Sequence, residues 1–141
     1  MRAFIAMVAL LAFCGSVHAE SRAVVRMINA KLARYVHPTG KCAIGSERLA
    51  TLYGNGDGNV GKPVACGGRL DRKRPTVAVR DRHKYPCGTK LRIHNPHNGH
   101  SVTATVTDRG PYTIAWIDLG PAVTSALRLD TSSYVCVAGN D

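Results

Sequence analysis

Several patterns that define common function classes are missing from this 141-residue sequence. After residue 19 no segment is apolar enough to cross a membrane, which takes about 20 consecutive apolar residues. No GK[ST] triplet follows any of the 14 glycines, so a phosphate-binding loop is excluded. No two cysteines have the CxxC spacing of a zinc knuckle, and no turn resembles a nucleophile elbow. We therefore expect no transmembrane segment, no metal and no cofactor.

The N-terminus has the pattern of a secretory signal peptide. Arg2 supplies a positive charge, residues 4–13 form a short apolar run, and Val17-His18-Ala19 is a small-residue cleavage site. A lipoprotein signal ending at Cys14 is the alternative, but the bulky Phe13 stands where that signal has a small residue. We predict a signal peptide over residues 1–19, cleaved after Ala19, and a secreted or periplasmic protein.

Four cysteines remain after such a cleavage: Cys42, Cys66, Cys87 and Cys136. In a small secreted chain this number predicts two disulfides formed in an oxidising compartment. Three pairings are possible. We favour Cys66–Cys87 together with Cys42–Cys136, because the second would tie the N-terminal extension to the last strand.

Acidic residues are scarce, with 9 Asp and Glu against 19 Lys and Arg and a formal net charge of +10. Nine of the basic residues fall between Arg69 and Arg92, where the only acids are Asp71 and Asp81. In a secreted protein this balance favours anionic cell-wall polymers or membrane surfaces as partners over nucleic acid. A solvated basic face without any partner is the alternative.

The chain divides into an N-terminal helical extension over residues 20–47 and one domain over residues 48–141. The extension contains a basic amphipathic helix over 22–36, which either packs on the following domain or binds a membrane. The domain has a period-two pattern, and a helix begins at Pro121 and ends near Leu129. The predicted strands cover residues 49–53, 76–79, 90–94, 101–107, 115–119 and 134–137. Six short strands with one late helix predict a small closed β-barrel, which we expect to be a monomer.

Two aspartates are the candidate catalytic groups. Asp108 lies in a tight Gly-Pro turn after an apolar strand, and Asp118 lies in the short Ile117-Asp118-Leu119 strand. A turn that fixes the backbone can direct a carboxylate into a cleft for acid–base chemistry. The alternative is that both side chains only cap turns. Three histidines at positions 94, 97 and 100 could bind zinc if they converged, but on an Asn/Gly turn they more often point into water.

Six short motifs occur in an order that resembles one known family. They are Tyr53-Gly54, Ala65-Cys66-Gly67-Gly68, Pro86-Cys87-Gly88-Thr89-Lys90-Leu91, Asn98-Gly99-His100-Ser101-Val102, Asp108-Arg109-Gly110-Pro111 and Ile117-Asp118-Leu119. This order is similar to that of RlpA-like (rare lipoprotein A) proteins, whose barrels are related to those of expansins, barwin and the MltA lytic transglycosylases. The resemblance covers residues 49 to about 137. It implies a mainly β fold, a six-stranded double-psi β-barrel with a short helix after the Ile-Asp-Leu strand.

The resemblance also implies an activity on peptidoglycan or another anionic cell-wall polysaccharide. A lytic transglycosylase cleaves the glycan without water, because the sugar's own 6-hydroxyl attacks and leaves a 1,6-anhydro end. One carboxyl group can then serve as acid and afterwards as base. Asp108 matches the aspartate of the family motif and is the expected acid and base. The residues expected to bind substrate around it are Tyr53, His83, Arg109 and Asp118.

The sequence departs from the family pattern at two positions. Gly68 stands where active relatives have a glutamate, and Arg82 stands where a histidine is usual, with His83 one residue away. These departures keep a second function open, a non-catalytic module that binds wall polysaccharide as expansin-like proteins do. A small disulfide-bonded defence or inhibitor protein of the barwin type is a third.

Overall fold

The structure, a computed structural model, describes residues 40–139. The predicted signal peptide and the predicted helix over 22–36 lie outside the described residues. The elements are β1 (Ser46–Leu52), β2 (Thr76–Val79), β3 (Lys90–His94), β4 (Ser101–Asp108), β5 (Ile117–Leu119), α1 (Pro121–Leu127) and β6 (Ser133–Gly139). Among these residues, no helix has the length and apolar character needed to span a bilayer.

The six strands close into a barrel in the order β1-β5-β2-β4-β3-β6. The β1–β5 and β2–β4 pairs are parallel, and the other four pairs are antiparallel. Strands β1, β3 and β5 therefore run in one direction and β2, β4 and β6 in the other. It follows that the starts of β1, β3 and β5 meet the ends of β2, β4 and β6 at one end of the barrel. Asp108, the last residue of β4, lies at this end, which we call the Asp108 end.

Alternate residues of each strand fill the barrel with apolar side chains. The residues that share this core are Ala50, Val77, Val79, Leu91, Ile93, Ala104, Val106, Ile117, Leu119, Val123, Leu127, Leu129, Val135 and Val137. A second, smaller cluster of Tyr53, Leu70 and Ala78 forms under the long connection between β1 and β2. The first cluster holds the barrel together, and the second attaches the β1–β2 connection to the sheet beside Asp108.

Different elements cover the two ends of the barrel. Helix α1 lies at the end opposite Asp108, where the amide of the buried Asn95 donates to the Leu127 carbonyl at 2.9 Å. The helix starts directly after Gly120, where a Cβ would lie 2.7 Å from the Thr76 carbonyl oxygen, so only glycine fits. At the Asp108 end, the rings of Tyr85 and Trp116 pack edge to face against the core, 5.3 Å between centroids.

Both favoured disulfides are formed in the structure. Cys42–Cys136 has a Cα–Cα distance of 5.5 Å and fastens the segment before β1 to β6. Cys66–Cys87 has a Cα–Cα distance of 5.6 Å and joins the β1–β2 connection to the β2–β3 connection. The second disulfide therefore links two loops at the Asp108 end.

The predicted closed barrel is confirmed, and the differences lie at the ends of strands and of the helix, which ends at Leu127 rather than near Leu129. Strand β1 begins at Ser46 rather than at Leu49. The additional residues are polar or charged, so the period-two pattern does not reveal them, but they pair with residues 135–137 of β6. Strand β5 is shorter than predicted, because it begins at Ile117 rather than at Ala115.

Candidate functional site

Asp108 is fixed by backbone hydrogen bonds to one of its carboxylate oxygens. Its Oδ1 accepts from the Ala65 N–H at 2.9 Å and from the Arg109 N–H at 2.8 Å. The Ala65 donor comes from the β1–β2 connection, which is held there by the Cys66 N–H bond to the Thr107 carbonyl at 2.9 Å. The turn after β4 and the neighbouring loop together orient the half-exposed Asp108 carboxyl group.

Asp118 lies on the same outer face of the barrel as Asp108, two strands away. Ala78 of β2 pairs with Asp108 on one side and with Asp118 on the other. Directly paired residues point to the same face of a sheet, and adjacent strands lie about 4.8 Å apart. The two carboxyl groups therefore flank Ala78, which is itself buried against Tyr53 and Leu70.

Asp118 is a half-buried aspartate in the middle of β5. Burial is the largest cause that raises its pKa above the ordinary value of 3.8, and the negative charges of Asp57 and Asp108 raise it further. The Thr51 hydroxyl acts in the opposite direction. Asp118 thus holds a proton more readily than an exposed aspartate does.

Replacing Asp118 by asparagine is expected to raise the melting temperature at pH 7. Because the pKa of Asp118 is higher in the folded than in the unfolded chain, the ionised carboxylate destabilises the fold at pH values above the folded pKa. This penalty is absent below the ordinary value of 3.8, where the carboxyl group is protonated in both states. Melting curves from acid to neutral pH should therefore show that the advantage of Asp118→Asn grows as the pH rises.

The exposed Asp130 gives a matched control, since Asp130→Asn makes the same change in charge outside the site. An Asp118→Asn variant that is less stable than wild type at pH 7, with Asp130→Asn unchanged, would contradict the unfavourable burial of this charge.

Tyr53 follows β1, and its ring is buried, with 8% of the residue exposed. Burial first, and then the negative charge of Asp108, raise the pKa of Tyr53 to about 12. The phenol therefore stays protonated at neutral pH and remains a hydrogen-bond donor. The hydroxyls of Thr76 and Thr107 interact with it and lower its pKa in part, although neither makes a hydrogen bond of standard geometry to it.

Four buried side-chain oxygens at this site have no hydrogen-bond partner within residues 40–139. They are Tyr53 Oη, Thr76 Oγ1, Thr107 Oγ1 and Asp118 Oδ1. An unpaired buried polar group costs about 1–3 kcal/mol, so such groups normally bind a water or a ligand. The hydroxyls of Tyr53, Thr76 and Thr107 affect one another, so they form one buried polar cluster at this site.

Arg109 is directed away from the Asp108 carboxylate. Its guanidinium donates to the Tyr85 carbonyl at 2.9 Å and to the Val79 carbonyl at 3.3 Å, and Nη2 lies 3.2 Å from Cys87 Sγ. Through these bonds Arg109 connects the Asp108 turn to the β2–β3 connection. Only its backbone N–H contacts the Asp108 side chain.

His83 is exposed in a turn that starts at Asp81, whose Oδ1 accepts from the His83 N–H at 3.1 Å. Within residues 40–139, no hydrogen bond joins its imidazole to Asp108, Asp118 or Tyr53. The structure therefore brings Asp108, Asp118 and Tyr53 together, whereas the exposed His83 lies in the turn after β2.

Gly68 lies in a tight turn in which the Val64 N–H donates to the Gly68 carbonyl at 3.2 Å. Its φ is +83°, and that of Gly67 is +89°, a backbone region that costs other residues about 1–2 kcal/mol. A Cβ on Gly68 would meet no atom within 4 Å, so the position has space for a side chain but a backbone suited to glycine.

Sequence reasoning missed Thr76, Thr107 and Ala78. The register of β2 against β4 shifts between Val77 and Ala78, and this shift leaves Thr107 unpaired. A bulge of this kind redirects a side chain. The only local signal was the position of Thr107 directly before Asp108, which does not indicate a bulge.

The chain is similar in sequence to two named proteins and in fold to a solved structure. No protein-family model matches the chain. Residues of the chain match proteins named "Probable endolytic peptidoglycan transglycosylase RlpA" in two organisms. The Nostoc sp. protein is 43% identical over 65 residues, 46% of this chain and 17% of that protein. The Synechocystis sp. protein is 34% identical over 91 residues, 64% of this chain and 27% of that protein.

Among solved structures, the apo expansin of Clavibacter michiganensis superposes with a TM-score of 0.52. It has 23% sequence identity and covers 70% of this chain and 51% of its own. This likeness concerns the fold.

The architecture defines the class first: a closed, mixed six-stranded double-psi β-barrel of the kind found in expansins. Within that class, the chain has an RlpA-like barrel, as its motifs predicted. The matched region spans less than a third of either curated relative.

Proposed function

We propose that this barrel binds peptidoglycan glycan strands outside the cytoplasm and cleaves them as a lytic transglycosylase. The observation that supports this most is the pair of carboxyl groups, Asp108 and Asp118, on either side of Ala78 and next to unpaired buried hydroxyls. The names of the two RlpA relatives point to the same reaction and substrate. The two disulfides fit an oxidising compartment.

In the proposed mechanism Asp108 acts as acid and then as base. Its Oδ1 is held by two N–H groups, so the proton is transferred from Oδ2. Protonation of the glycosidic oxygen breaks its bond to C1, the 6-hydroxyl oxygen of the same sugar bonds to C1, and the hydroxyl proton returns to Asp108. Atoms balance without water, and the product carries a 1,6-anhydro end.

Asp118 has a binding role in this proposal, and Tyr53 has a supporting one. The half-buried Asp118 carboxylate accepts from a sugar hydroxyl, and the buried, protonated Tyr53 packs with Ala78 between the two carboxyl groups. The Arg109 guanidinium donates to the backbone carbonyls of Val79 and Tyr85 and not to the carboxylates. Arg109 therefore holds the Asp108 turn in place and does not neutralise the charge of the carboxylates.

A second candidate is a module that binds wall polysaccharide without cleaving it. Two observations favour it: Gly68 stands where a glutamate is expected in active relatives, and the exposed His83 makes no hydrogen bond to Asp108 within residues 40–139. The same carboxylates, basic residues and disulfides would serve either function.

Incubation of the purified protein with isolated sacculi distinguishes these functions. We expect release of anhydro-muropeptides, detected by mass spectrometry, and co-sedimentation of the protein with the sacculi. Sacculi whose stem peptides have been removed test whether the peptides matter. Co-sedimentation without any anhydro product would support the binding module instead, and the absence of both would contradict the proposed function.

A further inference from the structure

A cleft opens at the Asp108 end of the barrel, and Asp108, Ala78 and Asp118 are not among the residues that line it. It has a volume of about 510 Å³. Side chains of Arg48, Lys84, Tyr85 and Trp116 line it, and the backbone at the start of β1 and the end of β6 completes it. These elements meet there because of the strand directions described above.

The aromatic rings of the cleft are fixed in position. Tyr85 and Trp116 pack edge to face with an interplanar angle of 86°, and both are partly buried against the core. A partly exposed ring that cannot rotate presents a flat apolar surface at little entropic cost. The apolar face of a pyranose ring is a suitable partner for such a surface.

Two cations lie over these rings. The guanidinium of Arg48 is 5.2 Å from the Trp116 ring centroid, and the ammonium of Lys84 is 5.6 Å from that of Tyr85. Such cation–π contacts orient a cation but leave its charge uncompensated. Because the guanidinium lies over the ring, its N–H edge remains available to an oxyanion.

No acid compensates these cations within the cleft. None of the residues that line it is Asp or Glu, and among residues 40–139 neither cation takes part in an ion pair. Asp81, in the same turn as Lys84, accepts from the N–H groups of His83 and Lys84 and does not line the cleft. The Lys84 N–H bond first, and the charge of Lys84 to a smaller extent, lower the pKa of Asp81. The cleft therefore combines an apolar ring surface with the positive charge of Arg48 and with that of Lys84, which Asp81 offsets in part.

We propose that this cleft binds a pyranose ring that carries a carboxylate, as an acidic-sugar subsite for the polysaccharide that passes Asp108. The proposal rests on the proposed function in one respect, that a polysaccharide is the ligand. Both sites lie at the Asp108 end of the barrel, where the Arg109 guanidinium, from the residue after Asp108, donates to the carbonyl of Tyr85.

Tryptophan fluorescence reports directly on this cleft, because Trp116 is the only tryptophan of the chain. The Asp108→Asn variant is titrated with oligogalacturonate, whose rings each carry a carboxylate, and with a neutral chitooligosaccharide of the same length. Because this variant should not cleave glycans, the titration measures binding alone. We expect a saturable change with the acidic oligomer, at least about tenfold weaker affinity for the neutral one, and weakening with added salt.

Charge-neutralising variants locate the binding. Arg48→Gln and Lys84→Gln should each weaken binding of the acidic oligomer about tenfold or more. Arg72→Gln removes an exposed cation in the turn before β2 and should leave the affinity unchanged. Lys84 is exposed, so its variant serves as a test even if Arg48→Gln, within β1, disturbs the fold.

Equal affinity for acidic and neutral oligomers would overturn the proposal, as would Arg48→Gln and Lys84→Gln variants that both bind like Arg72→Gln. Absence of any fluorescence change with the acidic oligomer would overturn it too. None of these measurements depends on glycan cleavage. If the protein cleaves sacculi but shows one of these results, the proposed subsite is refuted and the proposed function is not.

Discussion

Replacing Asp108 by asparagine is expected to lower the rate of anhydro-muropeptide release from sacculi by about 10²–10⁴-fold, the usual contribution of a general acid–base group. An amide cannot donate and recover the proton that this reaction needs. The amide oxygen can still accept from the Ala65 and Arg109 N–H groups, so the local fold should be retained. A time course of product release, measured by mass spectrometry alongside melting curves, tests this expectation.

Asp130→Asn is the matched control, because it removes one exposed carboxylate at the opposite end of the barrel and should leave the rate unchanged. Comparison with Asp118→Asn makes the test sharper. Undiminished release by Asp108→Asn, together with loss of release in Asp118→Asn, would transfer the acid role to the aspartate whose pKa burial raises.

Local sequence chemistry was sufficient to predict the barrel. Period-two alternation and Gly/Pro turns delimit β2 and β3, whose bounds agree with the prediction, and both disulfide pairings were the favoured ones. Strand ends were less predictable. Ser46 belongs to β1 because its backbone pairs with β6, and its polar side chain does not continue the alternation of apolar residues. Backbone pairing between distant segments leaves no such alternation in the local sequence.

The sequence singled out Asp108 and Asp118 as candidates but did not indicate how they are arranged. Asp108 and Asp118 are ten positions apart in sequence, yet they share a face because Ala78 of a third strand pairs with both. No pattern in the sequence indicates this register or the shift at Val77 that leaves Thr107 unpaired. The direction of the Arg109 guanidinium was also open, since two backbone carbonyls from distant loops determine it.

Removing the Cys42–Cys136 disulfide is expected to lower the free energy of unfolding by about 4–5 kcal/mol, and removing Cys66–Cys87 by about 3 kcal/mol. The difference follows from loop length, since the first bond joins residues 94 positions apart and the second joins residues 21 apart. Double alanine variants of each pair avoid unpaired thiols, and urea unfolding measures the loss. Thiol titration of the denatured, unreduced protein checks that the remaining cysteines are paired.

Loss of Cys66–Cys87 should lower the activity more than loss of Cys42–Cys136, although it lowers the stability less. Cys66 adjoins Ala65, whose N–H orients Asp108, and its partner Cys87 lies against the Arg109 guanidinium. Loss of Cys66–Cys87 therefore frees both loops that position the Asp108 turn, whereas Cys42–Cys136 fastens β6 to the segment before β1, which contributes no residue to the carboxylate site. The release of anhydro-muropeptides from sacculi, measured at a temperature where both variants are folded, should therefore fall further in the variant without Cys66–Cys87. Proportional losses of stability and activity in the two variants would contradict a positioning role for Cys66–Cys87.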